Sequence, residues 1–506
     1  MPGELFPRNP MKLSHVLRTI PIAALAGVLL LPAAGASGSA SQVTIMQDEA
    51  QLLFTSSGHR ASTLDEMRGL GADVIKVRVQ WRFIAPSPDA KKKPQGFSGE
   101  NPGDYPSANW APYDDLIRQI VARGMRPYLM LTGPAPRWAS GKTGIDRPKP
   151  SQFKRFVQAV GTRYSGTFGT SPLDPLADPP PRVDVFAPWN EPNLYSWLTP
   201  QSAHGVPVSP KIYRRLVLAA QKGLQASGHG GDELLIGELL PYAHQNSANK
   251  RKFSPITFLR ELACVNSHYH AYTGKAAKRR GCQHYKALPG TGLAYHPYTL
   301  AGGPDVRTAD PNDASIADLD RVTNALDKLS HRGRLKSSRM PVWVSEFGFQ
   351  TNPPDHYASA IKRVPGFMGQ SEWLAYRNPR VASYAQYPLV DDAIDKSGSG
   401  FQSGLRRRNG KKKPGVYKAF QLPLFVEKRT AKVVEIFGGV RAGGAGDKVT
   451  IESRVGHKGN FKTLGKVELG SQGYFDRVFT ISKADERQYR FRLSGGGKSR
   501  TATAHG

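Results

Sequence analysis

Eight short apolar segments alternate with helical stretches between residues 40 and 425, and this alternation restricts the fold more than any other feature. The segments are rich in β-branched and aromatic residues, whereas the stretches between them repeat apolar residues at helical spacing. Apolar strands that alternate with amphipathic helices indicate a parallel sheet covered by helices. Eight strand–helix units is the number that closes a (β/α)8 barrel. The predicted strands cover residues 42–47, 74–79, 126–131, 183–188, 234–239, 292–298, 341–349 and 381–387.

Glycines mark the ends of several predicted helices just before the next strand, as is typical of a helix C-cap. They are Gly71, Gly124, Gly228 and Gly333. The main alternative for this pattern is an open, doubly wound sheet. That fold usually binds phosphate with a glycine-rich loop after an early strand, and the sequence has no such loop. We therefore predict a TIM barrel over residues 40–425.

A second, smaller domain is predicted after the barrel, in keeping with a chain of 506 residues. Residues 428–494 alternate polar and apolar side chains at period two, with glycine-rich turns such as "RAGGAGDK" between the segments. This pattern is typical of antiparallel strands with one face in solvent, so we predict a small β-sandwich. The tail at residues 495–506, "GGGKSRTATAHG", is expected to be disordered.

The N-terminal region carries the features of a secretory signal peptide. A positive start, an apolar core and an A-x-A cleavage site are found at Lys12 and Arg18, at residues 20–31, and at Ala34 and Ala36. We predict a signal peptide over residues 1–36, with Met11 as an alternative start. An uncleaved anchor is the rival interpretation, although the apolar run is short for a stable span. The mature protein is expected to be secreted and extracellular.

The sequence contains two cysteines, Cys264 and Cys282. An oxidising compartment favours a disulfide between them. Metal binding is the alternative, but two cysteines cannot complete a zinc site, and the nearby histidines lack the spacing of a zinc finger. We predict the disulfide and no metal site.

The charge of the chain is strongly positive, with 70 Lys and Arg against 40 Asp and Glu. This excess predicts an affinity for polyanions, and we expect electrostatic association with anionic cell-wall polymers. The sequence has no zinc-finger or RNA-recognition motif, so we expect no specific binding of nucleic acid. The basic runs are short, and solvated loops are the simpler interpretation of each.

Polar and ionisable side chains stand where the predicted strands end. They are Arg78 near the end of strand two, Asn190 and Glu191 after strand four, Glu238 on strand five, His296 and Tyr298 on strand six, Glu346 on strand seven, and Gln386 and Tyr387 on strand eight. In this fold the carboxyl ends of the strands form the active-site face. Glu191 and Glu346 would face each other across it. Glycoside hydrolysis needs such a pair, one acid for the leaving oxygen and one carboxylate at the anomeric carbon.

The motifs "WNEPN" after strand four and "VWVSEFGF" at strand seven resemble those of clan A glycoside hydrolases, the retaining (β/α)8-barrel enzymes that include families 5 and 39. The resemblance covers residues 40–425. It implies that Glu191 is the general acid/base and Glu346 the nucleophile. Arg78 and a hydrogen bond from Tyr298 would keep Glu346 ionised.

The resemblance also implies substrate-binding residues. Asn190 would bind the sugar 2-hydroxyl, and His296 would hydrogen-bond near the acid/base. Clan members commonly carry a tryptophan after strand eight, where this sequence offers Tyr387 instead. Trp81, Trp138 and Trp197 follow strands two, three and four, and we expect them to stack on sugars. For Glu238 we favour a role in packing or substrate binding over catalysis, and for Trp373 we weigh sugar stacking and helix packing equally.

Together these features predict a secreted, monomeric, retaining O-glycosidase that binds carbohydrate and needs no cofactor or metal. The β-sandwich would be an accessory domain. A transglycosidase with the same two glutamates is the nearest alternative. An inactive carbohydrate-binding envelope protein and a wall-attached polyanion-binding protein are the alternatives from other classes. The sugar and the linkage are left open.

Overall fold

The computed structural model describes residue 39 and residues 41–169, 178–243, 252–299, 302–356, 358–394 and 400–505. The predicted signal peptide lies outside these ranges. Within them, no helix combines the length and the hydropathy that crossing a membrane requires.

Eight parallel strands close into a barrel, as predicted. Each strand pairs with its neighbours in sequence, and the first pairs with the last. The strands are β1 (Val43–Met46), β2 (Val74–Gln80), β3 (Arg126–Thr132), β4 (Val185–Pro188), β5 (Glu233–Leu239), β6 (Gly292–Tyr295), β7 (Val342–Val344) and β8 (Val381–Gln386).

Helices surround the barrel and connect its strands. They are α1 (Glu49–Leu52), α2 (Ser57–Gly69), α3 (Trp81–Ile84), α4 (Ser107–Ala122), α5 (Pro150–Arg163), α6 (Ser209–Ala226), α7 (Pro255–Leu262), α8 (Gly274–Arg280), α9 (Leu319–His331), α10 (Val364–Tyr376) and α11 (Val416–Gln421). The apolar stripe of each long helix faces the strands: in α9, for example, Val322, Leu326 and Leu329 are buried. This packing explains why both the strands and the inner helix faces are apolar in sequence.

A C-terminal domain of two antiparallel sheets follows the barrel, as predicted. One sheet contains β9 (Leu424–Thr430), β10 (Val433–Gly439) and β13 (Tyr474–Thr480). The other contains β11 (Lys448–Val455), β12 (Lys462–Glu468), β14 (Arg487–Leu493) and the short β15 (Ala502–Thr503). Apolar side chains of both sheets, including those of Ile436, Ile451 and Phe491, form one core between them.

The tail was expected to be disordered, and this prediction is wrong for the described residues. β15 pairs with residues 488–489 of β14, and Ala502 is buried. The backbone of His505 donates to Val426 and accepts from Lys428, at 2.9 and 2.6 Å. The glycine-rich composition concealed that the tail supplies backbone hydrogen bonds to two strand edges. The C-terminal domain therefore runs from Leu424 to the end of the described chain, beyond the predicted limits of 428 and 494.

The C-terminal domain is joined to the barrel through a buried arginine. Arg441 donates to the Thr44 hydroxyl of β1 at 2.6 Å and to Glu372 of α10 at 2.7 Å. Its carbonyl oxygen approaches Gly71 so closely that a Cβ there would lie 2.3 Å from it, and Gly71 has φ +79°. Only glycine satisfies both demands at that position. The glycine that was predicted as a helix cap therefore also admits the second domain.

The predicted disulfide is confirmed. Cys264 and Cys282 are bonded, with their Cα atoms 5.6 Å apart, and they close a short loop that carries α8. The loop lies on the outer side of the barrel, where Arg214 of α6 contacts the carbonyls of Arg280 and Gly281 at 2.6 and 3.1 Å.

Candidate active site

The motif "WNEPN" leaves the barrel in an unusual backbone conformation. Trp189 and Glu191 have φ of 73° and 34°, in the left-handed region that non-glycine residues seldom adopt. Hydrogen bonds hold the segment in place: Trp189 N–H donates to Leu131 at 2.7 Å, and Glu191 N–H donates to the carbonyl of Glu238 at 2.9 Å. Such strain persists only where the surrounding structure fixes it, and it is common at functional sites. Here it turns Glu191 inward over the strand ends.

Glu191, His296 and Glu346 converge at the mouth of the barrel. His296 Nδ1 lies 3.0 Å from a carboxylate oxygen of Glu191 and 3.2 Å from one of Glu346. One oxygen from each carboxylate and the imidazole nitrogen all lie within 4.8 Å of one another. The strand order of the barrel thus brings together two glutamates that are far apart in the sequence, as the motifs predicted.

A second ionic layer lies directly beneath this cluster. His296 Nε2 is 2.5 Å from Glu238, whose carboxylate also accepts hydrogen bonds from Lys76 at 2.8 Å and Ser345 at 2.7 Å. The Tyr128 hydroxyl donates to the same carboxylate. The side chains of Glu238 and Lys76 have no exposed surface. Glu238 therefore cannot contact a substrate, and its role is to hold His296 from below.

Burial and these charges shift the pKa values of the cluster in a consistent way. Burial alone would lower the pKa of His296, but the carboxylates of Glu346, Glu191 and Glu238 outweigh it and raise the pKa to about 9. Burial would raise the pKa of Glu238, yet the Lys76 ammonium and the hydrogen bonds from His296 and Lys76 hold it well below its usual range. Burial raises the pKa of Glu346, and the His296 charge opposes that rise. At neutral pH the imidazolium is therefore the positive group between the two glutamates.

Arg78 occupies the site in a different way from the one predicted. Its nearest carboxylate is Glu49 of α1, at 3.6 Å, and Gln47 donates to the same carboxylate at 2.6 Å. The charge of Glu346 acts on Arg78 less strongly than that of Glu49. Arg78 therefore pairs with Glu49 and also interacts with the charge of Glu346, and its predicted role in keeping Glu346 ionised stays a prediction. The run "QDEA" immediately after the first predicted strand was the available signal for Glu49.

Two buried polar atoms of the site have no hydrogen-bond partner among the described residues. They are the hydroxyl of Tyr298 and the amide oxygen of Asn190. Burial and the adjacent Glu346 carboxylate raise the pKa of Tyr298, so the two side chains are neighbours, and the predicted hydrogen bond between them stays a prediction. An unpaired buried polar atom costs free energy that a ligand can recover. These two atoms are where sugar hydroxyls would gain most by binding.

Tyr387 and a neighbouring cavity border the same mouth. Tyr387 is largely buried, and burial followed by the charges of Glu49 and Glu346 raises its pKa. A cavity of about 330 Å³ opens beside Tyr298, lined further by Phe349, Phe401 and Ser403. Tyr298 thus connects the cluster of Glu191, His296 and Glu346 to a neighbouring cavity with aromatic and polar walls, the usual form of a small-molecule site.

The predicted stacking tryptophans are mostly not available to a ligand. Trp81 has no exposed surface and stacks on Phe156 of α5, at a centroid distance of 5.2 Å. Trp138 is 4% exposed and lies edge-on to Trp81. The predictions for these two are wrong, because both rings are buried against other aromatic rings: Trp81 against Phe156 of α5, and Trp138 against Trp81 and Phe97. Trp197 is partly exposed, and its carbonyl accepts the Trp189 indole N–H at 2.8 Å.

Trp373 packs against the C-terminal domain and therefore has a structural role. Its ring lies 4.6 Å from that of Phe425 in the C-terminal domain, and its indole N–H donates to Glu435. Gln386, at the end of β8, is also satisfied structurally, since its amide donates to the carbonyls of Pro388 and Ser403 at 3.0 and 2.8 Å.

The cluster of Glu191, His296 and Glu346 could also be considered as a metal site, because its ligand atoms are close enough to share one ion. A metal ligand must be a neutral imidazole, whereas the raised pKa of His296 favours the protonated form. The 3.0 and 3.2 Å separations suit hydrogen bonds and also ligands of one ion, so the charge of the imidazole, not the distances, decides the assignment. The cluster therefore fits acid–base chemistry better than metal binding.

Comparison with known proteins finds similarity in the solved structures alone. No model of a protein family matches the chain, and no curated protein matches it significantly. A rice β-glucosidase, Os3BGlu6, superposes with a TM-score of 0.45 and 13% identity over 76% of this chain and 98% of that one. An aphid myrosinase gives 0.42 and 12%, over 75% and 97%. A family 44 xyloglucanase from Paenibacillus polymyxa gives 0.36 and 11%, over 91% and 97%. Because these superpositions are loose, any assignment of function rests on the residues of the site.

Proposed function

We propose that this protein is a retaining O-glycoside hydrolase in which Glu191 is the general acid/base and Glu346 is the nucleophile. The observation that carries the proposal is the meeting of both carboxylates at His296 Nδ1, at 3.0 and 3.2 Å. Retaining enzymes hold their carboxyl groups about 5–5.5 Å apart, while inverting enzymes hold them about 6.5–9.5 Å apart. One carboxylate oxygen of Glu191 lies within 4.8 Å of one of Glu346, which supports the shorter separation of the retaining class. The resemblance of "WNEPN" and "VWVSEFGF" to clan A motifs supports the same assignment.

The reaction would proceed by double displacement. Glu191 gives its proton to the leaving glycosidic oxygen while a Glu346 oxygen attacks the anomeric carbon and forms a glycosyl–enzyme ester. Glu191, now a carboxylate, takes a proton from water, and the water oxygen displaces Glu346. Two inversions give net retention. A transglycosidase would use the same two residues and differ only in the acceptor that replaces water.

His296 would control the charge state of the pair. The imidazolium stabilises a carboxylate at either glutamate, so one negative charge can be kept between them while the other group carries the proton. Burial raises the pKa of Glu346, which by itself would suit a general acid rather than a nucleophile. The positive charge of His296 opposes this rise and so favours the ionised carboxylate that a nucleophile needs. The motif order assigns the two roles, and a stereochemical test distinguishes them.

A substrate screen tests the proposed activity. Aryl glycosides and cell-wall polysaccharides are incubated with the wild-type protein and with Glu346→Gln as the blank. We expect turnover of at least one substrate by the wild type and none by the variant, since the amide cannot act as the nucleophile. Binding of saccharides without turnover by the wild type would favour the inactive carbohydrate-binding protein instead. Turnover that is lost on chelation and restored by a divalent metal would favour a metal centre.

We also propose that the mature protein works outside the cell. The disulfide between Cys264 and Cys282 supports an oxidising location, because disulfides rarely persist in the cytosol. N-terminal sequencing of the exported protein tests this, with a mature chain that begins just after Ala36 as the expected result. An intact N-terminus on protein recovered from the cytosol would contradict it.

A further inference from the structure

A second cavity of about 650 Å³ lies between the barrel and the C-terminal domain. Lys362, Arg363 and Phe367 line it from the barrel side, around the start of α10. Phe425 and the segment from Arg500 to His505 line it from the C-terminal domain. Its size is that of pockets that bind small organic molecules, and it is much larger than a single ion requires.

Arg500 is the unusual residue of this cavity. Its guanidinium donates to the carbonyls of Leu424 at 2.6 Å and Thr501 at 3.4 Å, whereas its Nε is buried and has no partner among the described residues. In the described part of the chain, no carboxylate lies within salt-bridge distance of it, and burial lowers its pKa to about 10. The buried Arg441 is paired with Glu372, whereas Arg500, like the buried Arg214, donates to carbonyl oxygens instead. A desolvated guanidinium without a counter-charge is costly, and an anionic ligand would remove that cost.

The other charges around the cavity reinforce the positive potential. Lys362 and Arg363 are exposed at its rim. Arg363 contacts the Phe367 ring at 4.9 Å and the carbonyl of Gly302 at 3.5 Å, and no carboxylate among the described residues forms an ion pair with it. The acidic group among the lining residues is Asp305, whose carboxylate lies 3.3 Å from His505 and so already has a partner. Three basic side chains therefore face the cavity without a compensating carboxylate.

We propose that this cavity binds an acidic saccharide, whose carboxylate is held by Arg500. A planar guanidinium matches a carboxylate with two parallel hydrogen bonds. Thr501 and Thr503 bring hydroxyl groups for the sugar, and the rings of Phe367 and Phe425 bring apolar faces. A bare oxyanion would use the arginine alone and leave the rest of the cavity empty.

The position of the cavity relates it to the candidate active site. Ala358 and Ser359 line the cavity beside Tyr298, and Lys362 and Arg363 line this one. Ser359 and Lys362 are three residues apart in sequence, so their Cα atoms are separated by roughly 11 Å at most. One polysaccharide chain could therefore lie over both cavities, which would make acidic wall polymers the substrate class. This extension rests on the proposed glycosidase function, while the binding proposal itself does not.

Calorimetric titration of the full mature protein with a galacturonate hexamer tests the binding. A fully methyl-esterified hexamer, which is uncharged, and inorganic phosphate serve as comparison ligands. We expect Arg500→Gln to weaken hexamer binding at least about tenfold. Lys466→Gln is the matched control, because it removes one positive charge from an exposed position in the same domain, and it should bind like the wild type. The titrations are repeated in the Glu346→Gln background, which is expected to lack turnover, so the effect of Arg500→Gln on binding is measured separately from catalysis.

Several results would overturn the proposal. If Arg500→Gln binds the hexamer as tightly as the wild type, Arg500 does not form the proposed site. If Arg500→Gln and Lys466→Gln lose affinity equally, the hexamer is held by diffuse attraction to a basic protein. Equal affinity for the ester and the acid would show that the ligand carboxylate is not recognised. Phosphate that binds as tightly as the hexamer would show that the saccharide part is not recognised. If Arg500→Gln does not fold, the double variant Lys362→Gln/Arg363→Gln tests the opposite wall and should also weaken binding.

Discussion

At the scale of single residues, the candidate site is a column of alternating charge that passes through His296. Lys76 pairs with Glu238 below the imidazole, and Glu191 and Glu346 lie above it. His296, Glu238 and Glu346 are buried, and their neighbours shift the pKa of each. The charge that opposes the raised pKa of Glu346 therefore comes from His296, which is held by residues that a substrate does not touch.

Glu238→Gln is expected to lower the pKa of His296 and move the alkaline limb of the kcat/KM profile toward lower pH. The amide removes a negative charge that favours the imidazolium, so the proton is lost earlier as the pH rises. The measurement is a pH–rate profile on the best aryl glycoside. Glu233→Gln, at the opposite end of β5, is the control and should keep the wild-type profile. A lower rate with an unshifted profile would mean that Glu238 acts only in packing.

The same raised pKa has a stability consequence, whose sign follows from proton binding. The folded protein keeps the His296 proton up to about pH 9, while the unfolded chain releases it near its ordinary value of 6.5. The stability contributed by His296 is therefore complete below about pH 6.5 and is lost as the pH rises through 9. Activity and stability should decline together on the alkaline side.

At the scale of secondary-structure elements, Asp476 of β13 is placed against Glu435 of β10. Burial and the neighbouring Glu435 carboxylate raise the pKa of Asp476 to about 7, although Arg377 and Arg429 oppose the rise. Neither carboxylate oxygen has a hydrogen-bonding donor among the described residues. The folded state holds this proton more tightly than the unfolded chain, so the stabilisation is present below about pH 4 and is lost as the pH rises through 7.

Asp476→Asn should raise the free energy of unfolding at pH 8 by about 1–3 kcal/mol, because the amide carries no buried charge. The difference from the wild type should shrink at pH 4. Urea denaturation at both pH values measures it. Asp485→Asn, an exposed position in the same domain, is the control and should change stability little. An equal effect of Asp476→Asn at both pH values would contradict the raised pKa.

The elements themselves were largely predictable from the sequence, and the reasons are local. Strand and helix periodicity fixed the eight barrel strands, and barrel topology then placed Glu191 and Glu346 at one end. Trp81 was misassigned because α3 begins at that residue and turns its ring toward α5. Periodicity does not specify which way a residue after a strand turns. The partnership of Lys76 and Glu238 was not foreseeable, since it joins strands that are 162 residues apart in sequence.

At the scale of the whole molecule, the barrel and the C-terminal domain share the buried ion pair of Arg441 and Glu372. Thr44 and Tyr474 add hydrogen bonds to it at 2.6 Å each. This ion pair joins the two domains. Removing either Arg441 or Glu372 would leave the other charge buried without a partner. We therefore expect the two domains of the wild type to unfold in a single calorimetric transition.

Arg441→Met should destabilise the protein by about 3–5 kcal/mol, because Glu372 would be left buried without its counter-charge. The double variant Arg441→Met/Glu372→Gln should recover part of the loss. Arg492→Met, which removes a more exposed pairing with Glu452, is the control and should cost less than about 1 kcal/mol. Two separate transitions in the wild type, or no difference between Arg441→Met and the control, would contradict the shared interface.

The stereochemistry of azide rescue tests the two-glutamate mechanism most directly. On a dinitrophenyl glycoside that the wild type cleaves, Glu346→Ala should lose turnover, and azide should restore it as a glycosyl azide of inverted configuration, because azide attacks the substrate in one step. Glu191→Ala should still form the covalent intermediate, since this leaving group needs no proton, and azide should give the retained product. NMR of the anomeric proton reads the configuration of each product. The opposite configurations would reverse the two roles, and unchanged hydrolysis in both variants would contradict the mechanism altogether.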